Sequence, residues 1–134
     1  MRTIDLIVVH CSATREDRRL PPESLNRIHR SRGFLCTGYH YYLLRDGGVV
    51  VTRPIALPGA HARGYNKNSI GICYEGGLDK LGRPSDTRTD MQRISLRNLV
   101  AGLLERFPHA KVCGHRDLPG VHKDCPCFDV KTDL

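Results

Sequence analysis

The segment from Ile4 to His10, IDLIVVH, is a run of β-branched and apolar residues that ends on a histidine. A strand with one face in water alternates apolar and polar side chains, and this run does not. It predicts a strand buried on both faces, and so a sheet with cover above and below.

The rest of the chain supplies that cover. In PPESLNRIHRSRG, Pro22 suits an early helical position, Leu25 and Ile28 share a face, and Gly33 fits the stop. YHYYLLRDGGVVVTRP places two β-rich arms around Asp46-Gly47-Gly48, which predicts a hairpin. SIGICYEGG reads as a further short buried strand closed by glycines. The clearest helix runs from about Thr89 to Phe107, opened by a Thr89/Gln92 capping box. Leu96, Leu99, Val100, Leu103, Leu104 and Phe107 follow at the spacing of one core-facing stripe. AKVCG is a last strand, and everything after Gly114 reads as loop with two prolines. The expected order is β-α-β-β-β-α-β: an α/β fold with a single mixed β-sheet flanked by α-helices.

A chain of 134 residues with 40% hydrophobic content fits one domain, residues 1–134, with a modest core and no obligatory staples. No apolar run approaches the roughly 20 residues needed to span a bilayer, so no membrane association is expected. MRTIDLIVVH is too short for a signal-peptide apolar region, and no small-residue cleavage site follows it. Synthesis in the cytoplasm without a signal peptide is the expectation, with the six cysteines reduced rather than paired. The net charge of +7 favours polyanionic partners. Its cations are dispersed rather than gathered on one face, so nucleic-acid recognition is not expected, and an anionic cell-wall polymer satisfies the same charge.

The densest chemistry lies in GHRDLPGVHKDCPCFD, Gly114 to Asp129. His115, His122, Cys125 and Cys127 would make a closed four-ligand zinc knot. However, closed sites usually pair cysteines as C-x₂₋₄-C, and one proline alone separates Cys125 from Cys127. The alternative draws a third ligand from the end of the first strand, His10, and joins it to His115 and Cys125. Two histidines and a thiolate leave a fourth position for water, as catalytic zinc sites do.

Four stretches in this order, VVHCSAT, GYHYYLLRDG, GAHARGYNKNSIGIC and GHRDL…KDCPCFD, give the chain its family likeness. Together it resembles the zinc-dependent N-acetylmuramoyl-L-alanine amidases of the phage-lysozyme type, which are related to peptidoglycan recognition proteins. The likeness runs from about Ile7 to Val130. It implies one zinc ion held by His10, His115 and Cys125 in a groove at one edge of the sheet, with Tyr39 and Lys123 as the catalytic pair. His61, Asn66 and Arg53 match positions that line the substrate groove. Cys127 departs from the pattern, since a hydroxyl residue is common there. The implied reaction is hydrolysis of the amide between N-acetylmuramic acid and L-alanine in peptidoglycan. The expected partner is therefore peptidoglycan or a muropeptide, and the expected state is a monomer. The enzyme would act on the wall after release, or on wall fragments in the cytoplasm.

Other classes fit less well. Noncatalytic recognition modules typically lose the ligand cysteine, which is present here. Zinc nucleobase deaminases need H-x-E and P-C-x-x-C, and neither occurs. A Cys11–His10 nucleophilic pair is poorly placed, because adjacent strand residues point to opposite faces. His29, His109 and His122 read as surface residues, and Cys11, Cys36, Cys73 and Cys113 as small core residues.

Overall fold

The computed structural model describes residues 2–134. In chain order the elements are β1 (Leu6–Cys11), β2 (Thr14–Arg15), α1 (Pro22–Ser31), β3 (Tyr41–Leu43), β4 (Val49–Val51), β5 (Ser69–Tyr74), β6 (Gly77–Leu78), α2 (Asp90–Arg106), β7 (Lys111–Gly114) and α3 (Val130–Asp133). Five strands form one sheet in the order β4-β3-β5-β1-β7, and β2 pairs with β6 in a small separate ladder.

The sheet is mixed. β1 runs parallel to both β5 and β7, β3 runs parallel to β5, and β4 closes an antiparallel hairpin on β3. The hairpin turn is the expected one: Gly47 takes a φ of +89°, and the Asp46 carboxylate accepts the Gly48 amide at 2.9 Å. Alternation along β1 sorts its side chains between the two faces. Ile7, Val9 and Cys11 join Ile70, Ile72 and Tyr74 of β5 in the larger core, against Leu96, Val100 and Leu103 of α2. On the other side Leu25 of α1 packs with Tyr42 and Cys73. His10 is almost wholly buried near the end of β1, an interior strand.

Helix α2 begins as the sequence predicts. The Gln92 amide donates to Thr89 Oγ1 at 3.1 Å, and the Thr89 amide donates to Gln92 Oε1 at 3.0 Å. The Gln92 side-chain nitrogen then donates to the carbonyls of Leu43 and Glu75, tying the helix to the sheet.

The structure differs from expectation in three places. The chain beyond Gly114 is not all loop: residues His115–Asp117 form a 3₁₀ turn, and α3 follows, capped by the Asp129 carboxylate on the Lys131 amide. The β2–β6 ladder of two residues per strand is too short to carry a sequence period. On α1, Ile28 is exposed while His29, four residues beyond Leu25, is buried, so His29 is not a surface residue. Its Nδ1 accepts the Gly38 amide at 2.8 Å, which satisfies a buried backbone donor. No helix among the described residues is long and apolar enough to cross a membrane.

Candidate metal centre

Strand register builds the centre. β1 and β7 lie side by side and parallel, with Val9 opposite Gly114. The next residue on each strand is a histidine, so His10 and His115 leave the sheet as neighbours, their ring centroids 4.5 Å apart. This is the carboxyl edge of parallel strands, where open α/β sheets place their ligands. The Asp117 carboxylate accepts the Gly114 amide at 2.8 Å and fixes the turn that carries His115.

The following loop returns Cys125 to the same edge. The Arg116 amide donates to the Cys125 carbonyl at 2.8 Å, and the Tyr74 hydroxyl donates to the Pro126 carbonyl at 2.6 Å. Phe128 and Val130 anchor the far end of the loop in the core. The Cys11 amide donates to Cys125 Sγ at 3.2 Å. His10, His115 and Cys125 each offer one ligand atom, all within 4.8 Å of one another.

These donors suit zinc. Zn–N bonds of about 2.1 Å and a Zn–S bond of about 2.3 Å in a tetrahedron imply an N···S separation of about 3.6 Å. His10 Nδ1 lies 3.8 Å from Cys125 Sγ. The electrostatics also favour the deprotonated ligand forms. Burial, followed by neighbouring His61, His115 and Lys123, holds His10 well below the ordinary histidine range. Burial and Lys123 lower His115. The Cys11 thiol, its backbone amide and the Lys123 ammonium pull Cys125 down against its burial.

A groove of about 350 Å³ opens over these three side chains, bordered also by Tyr39 and Lys123. The Tyr39 ring centroid lies 5.0 Å from that of His10, and the buried His29 ring backs it at 5.5 Å. Burial, and then the surrounding thiols, push the Tyr39 phenol well above its ordinary range, so it stays protonated and can donate a hydrogen bond. Lys123 is exposed and contributes a cation at the rim. A second hollow of about 470 Å³ adjoins the groove across His61, His115 and Lys123, with Arg63 and His122 on its wall.

The remaining candidates are placed differently. His61 forms part of the floor, with its Nδ1 2.8 Å from His10 Nε2. Asn66 Oδ1 accepts the amides of both His61 and Ala62 at 2.9 Å, so it holds the loop that carries His61. Arg53 Nη1 donates to the Thr37 carbonyl at 3.3 Å. Cys127 takes a φ of +69° and its sulfur lies 3.9 Å from Cys11 Sγ, outside the group of His10, His115 and Cys125. His122 is exposed. Sequence reasoning missed His29 and also His40, whose Nδ1 accepts the Gly71 amide at 3.0 Å. The i, i+4 relation of His29 to Leu25 was the available signal for the first, and His40 had none.

The family model for N-acetylmuramoyl-L-alanine amidase matches residues 1–128. The chain belongs to the N-acetylmuramoyl-L-alanine amidase family. The match takes in every residue of the site, from His10 at one end to Cys125 at the other. Among curated relatives, the endolysin of Enterobacteria phage T3 is 39% identical over 129 residues, covering 96% of this chain and 84% of that protein. Among solved structures, the N-acetylmuramoyl-L-alanine amidase LysC from Clostridium intestinale superposes with a TM-score of 0.82 at 28% identity, over 96% of this chain and 79% of its own. Drosophila PGRP-LB shares the amidase fold, with a TM-score of 0.76 at 22% identity over 94% of this chain and 76% of its own.

Proposed function

We propose that this amidase is a one-zinc hydrolase, with His10, His115 and Cys125 as metal ligands and Tyr39 and Lys123 as catalytic residues. It cuts the amide between N-acetylmuramic acid and L-alanine in peptidoglycan. The observation that carries the reading is the convergence of His10, His115 and Cys125 at one groove, with Lys123 at its rim. Zinc bound there supplies Lewis acidity, activating a water near neutral pH and polarising the scissile carbonyl.

The protein's own groups do the rest. As the lactyl carbonyl becomes tetrahedral its oxygen gains negative charge, and the Lys123 ammonium meets that charge. The Tyr39 hydroxyl donates to the attacking water or to the developing tetrahedral centre and holds it in line. The products are a lactyl carboxylate and a free L-alanine amino terminus. Residues 1–134 act as one catalytic domain and as a monomer, on the wall or on its fragments.

The test is digestion of purified peptidoglycan followed by mass spectrometry. Free L-alanine amino termini without new reducing ends are the expected products. New reducing ends would mean glycosidase chemistry and overturn the reading. Chelation should abolish the reaction, and added zinc should restore it.

A further inference from the structure

Of the groove residues, His61 has the most fully defined surroundings. His10 offers two nitrogens, and the one facing Cys125 Sγ is Nδ1, at 3.8 Å. If Nδ1 gives its lone pair to a metal, Nε2 must carry the proton, because a neutral imidazole has one donor and one acceptor. Nε2 lies 2.8 Å from His61 Nδ1. That nitrogen then accepts, which leaves His61 Nε2 as the N–H, 3.2 Å from the hydroxyl of the fully buried Ser69. The three side chains form one directed chain of hydrogen bonds, His10 to His61 to Ser69.

The fold makes room for this chain. A Cβ on Gly71 would stand 2.6 Å from the His61 ring, and one on Gly59 would stand 2.5 Å from it. A glycine inside a strand often marks such a close approach. Asn66 fixes the backbone from the other side. The His10 and His61 rings meet edge-on at 89°, so His61 constrains the plane of His10 as well as its proton.

We propose that His61 is a positioning residue, acting through His10, whose Nδ1 accepts the His10 Nε2–H and so presents His10 Nδ1 to the metal in one tautomer and one orientation. The inference rests on the zinc reading above and changes what His61 does within it. With both ring nitrogens engaged inside the protein, His61 has neither an N–H nor a lone pair left for substrate. Partners that orient a ligating histidine are a general need of metal sites, and losing one typically costs about 10- to 100-fold in metal affinity.

The experiment measures zinc affinity by competition with a chromophoric chelator, for wild type, His61→Ala, His61→Gln and Ser69→Ala. Chelator-treated proteins are compared by circular dichroism to establish that each is folded. His61→Ala should weaken zinc about 10- to 100-fold. His61→Gln, whose amide oxygen can accept from Nε2, should recover most of that loss, and Ser69→Ala should give a smaller one. In wild type, long-range nitrogen–proton NMR of the imidazoles should show His10 with its proton on Nε2, a readout that holds even if His61→Ala does not fold. Unchanged zinc affinity in His61→Ala with a raised KM would make His61 a substrate contact and overturn the inference. His10 protonated on Nδ1 would overturn it too. Failure of the zinc reading looks different: wild type itself would not bind zinc, or His10→Ala would bind it unchanged.

Discussion

The amide of Cys11 and the sulfur of Cys125 are 3.2 Å apart although 114 positions separate them in the chain. That bond joins the last residue of β1 to the C-terminal loop, and it gives Cys125 a donor that favours a thiolate. Cys127, two residues on, has its sulfur 3.9 Å from Cys11 Sγ, and the Cys11 thiol and burial raise its own thiol. Cys125→Ser should therefore lose zinc and activity, whereas Cys127→Ser should keep zinc stoichiometry near one. Metal analysis of the two purified variants checks this, and equal damage from both would refute the ligand set.

Lys123 and Tyr39 should separate chemistry from metal binding. Lys123→Ala removes the cation proposed to meet the oxyanion, so kcat should fall about 100- to 1,000-fold. Tyr39→Phe keeps the ring beside His10 and removes only the hydroxyl, with an expected loss of about 100-fold. Both should bind zinc within about threefold of wild type. A loss of zinc in either variant would place that residue in the metal site instead.

How much of this was legible in the sequence depended on the range of the interaction. The capping box of α2, its apolar stripe and the Asp46-Gly47 turn are local patterns, and each lies where the residues put it. The unalternating Ile4–His10 run announced a strand buried on both faces, although β1 itself spans Leu6–Cys11. The meeting of His10 with His115 could not be read from spacing, because it depends on which strand lies beside β1. The quoted motifs supplied that information through family likeness. His29 misled because histidines are usually exposed; the hydrogen bond that permits its burial comes from Gly38, nine residues away. The same limit hid the structural role of Asn66, whose Oδ1 accepts the backbone amides of His61 and Ala62.

Helix α2 offers a stability test far from the chemistry. Leu96 is fully buried against the sheet, so Leu96→Ala should cost about 2–5 kcal/mol through lost transfer energy and the cavity left behind. Thr89→Ala removes the cap and should cost about 1 kcal/mol. Urea unfolding at neutral pH should show both as shifts in midpoint at constant slope. A Leu96→Ala loss below that of the cap would contradict the packing of α2 on β1 and β5.

The buried imidazoles predict acid sensitivity of the metal-free protein. Burial, then neighbouring positive groups, lowers His61 to about 3, and burial lowers His40 to about 4 and His10 well below 6.5. Above about pH 6.5 neither the folded nor the unfolded chain binds protons at these rings. Below it the unfolded chain takes up protons that the folded chain refuses, so more protons are bound in the unfolded state and stability falls with pH. Each ring contributes at most about 1.4 kcal/mol per pH unit, between 6.5 and its folded value. Urea midpoints of chelator-treated protein should therefore drop progressively from pH 7 to pH 5. A midpoint independent of pH over that range would mean that the folded protein accepts these protons, and the picture of buried, neutral histidines would fail.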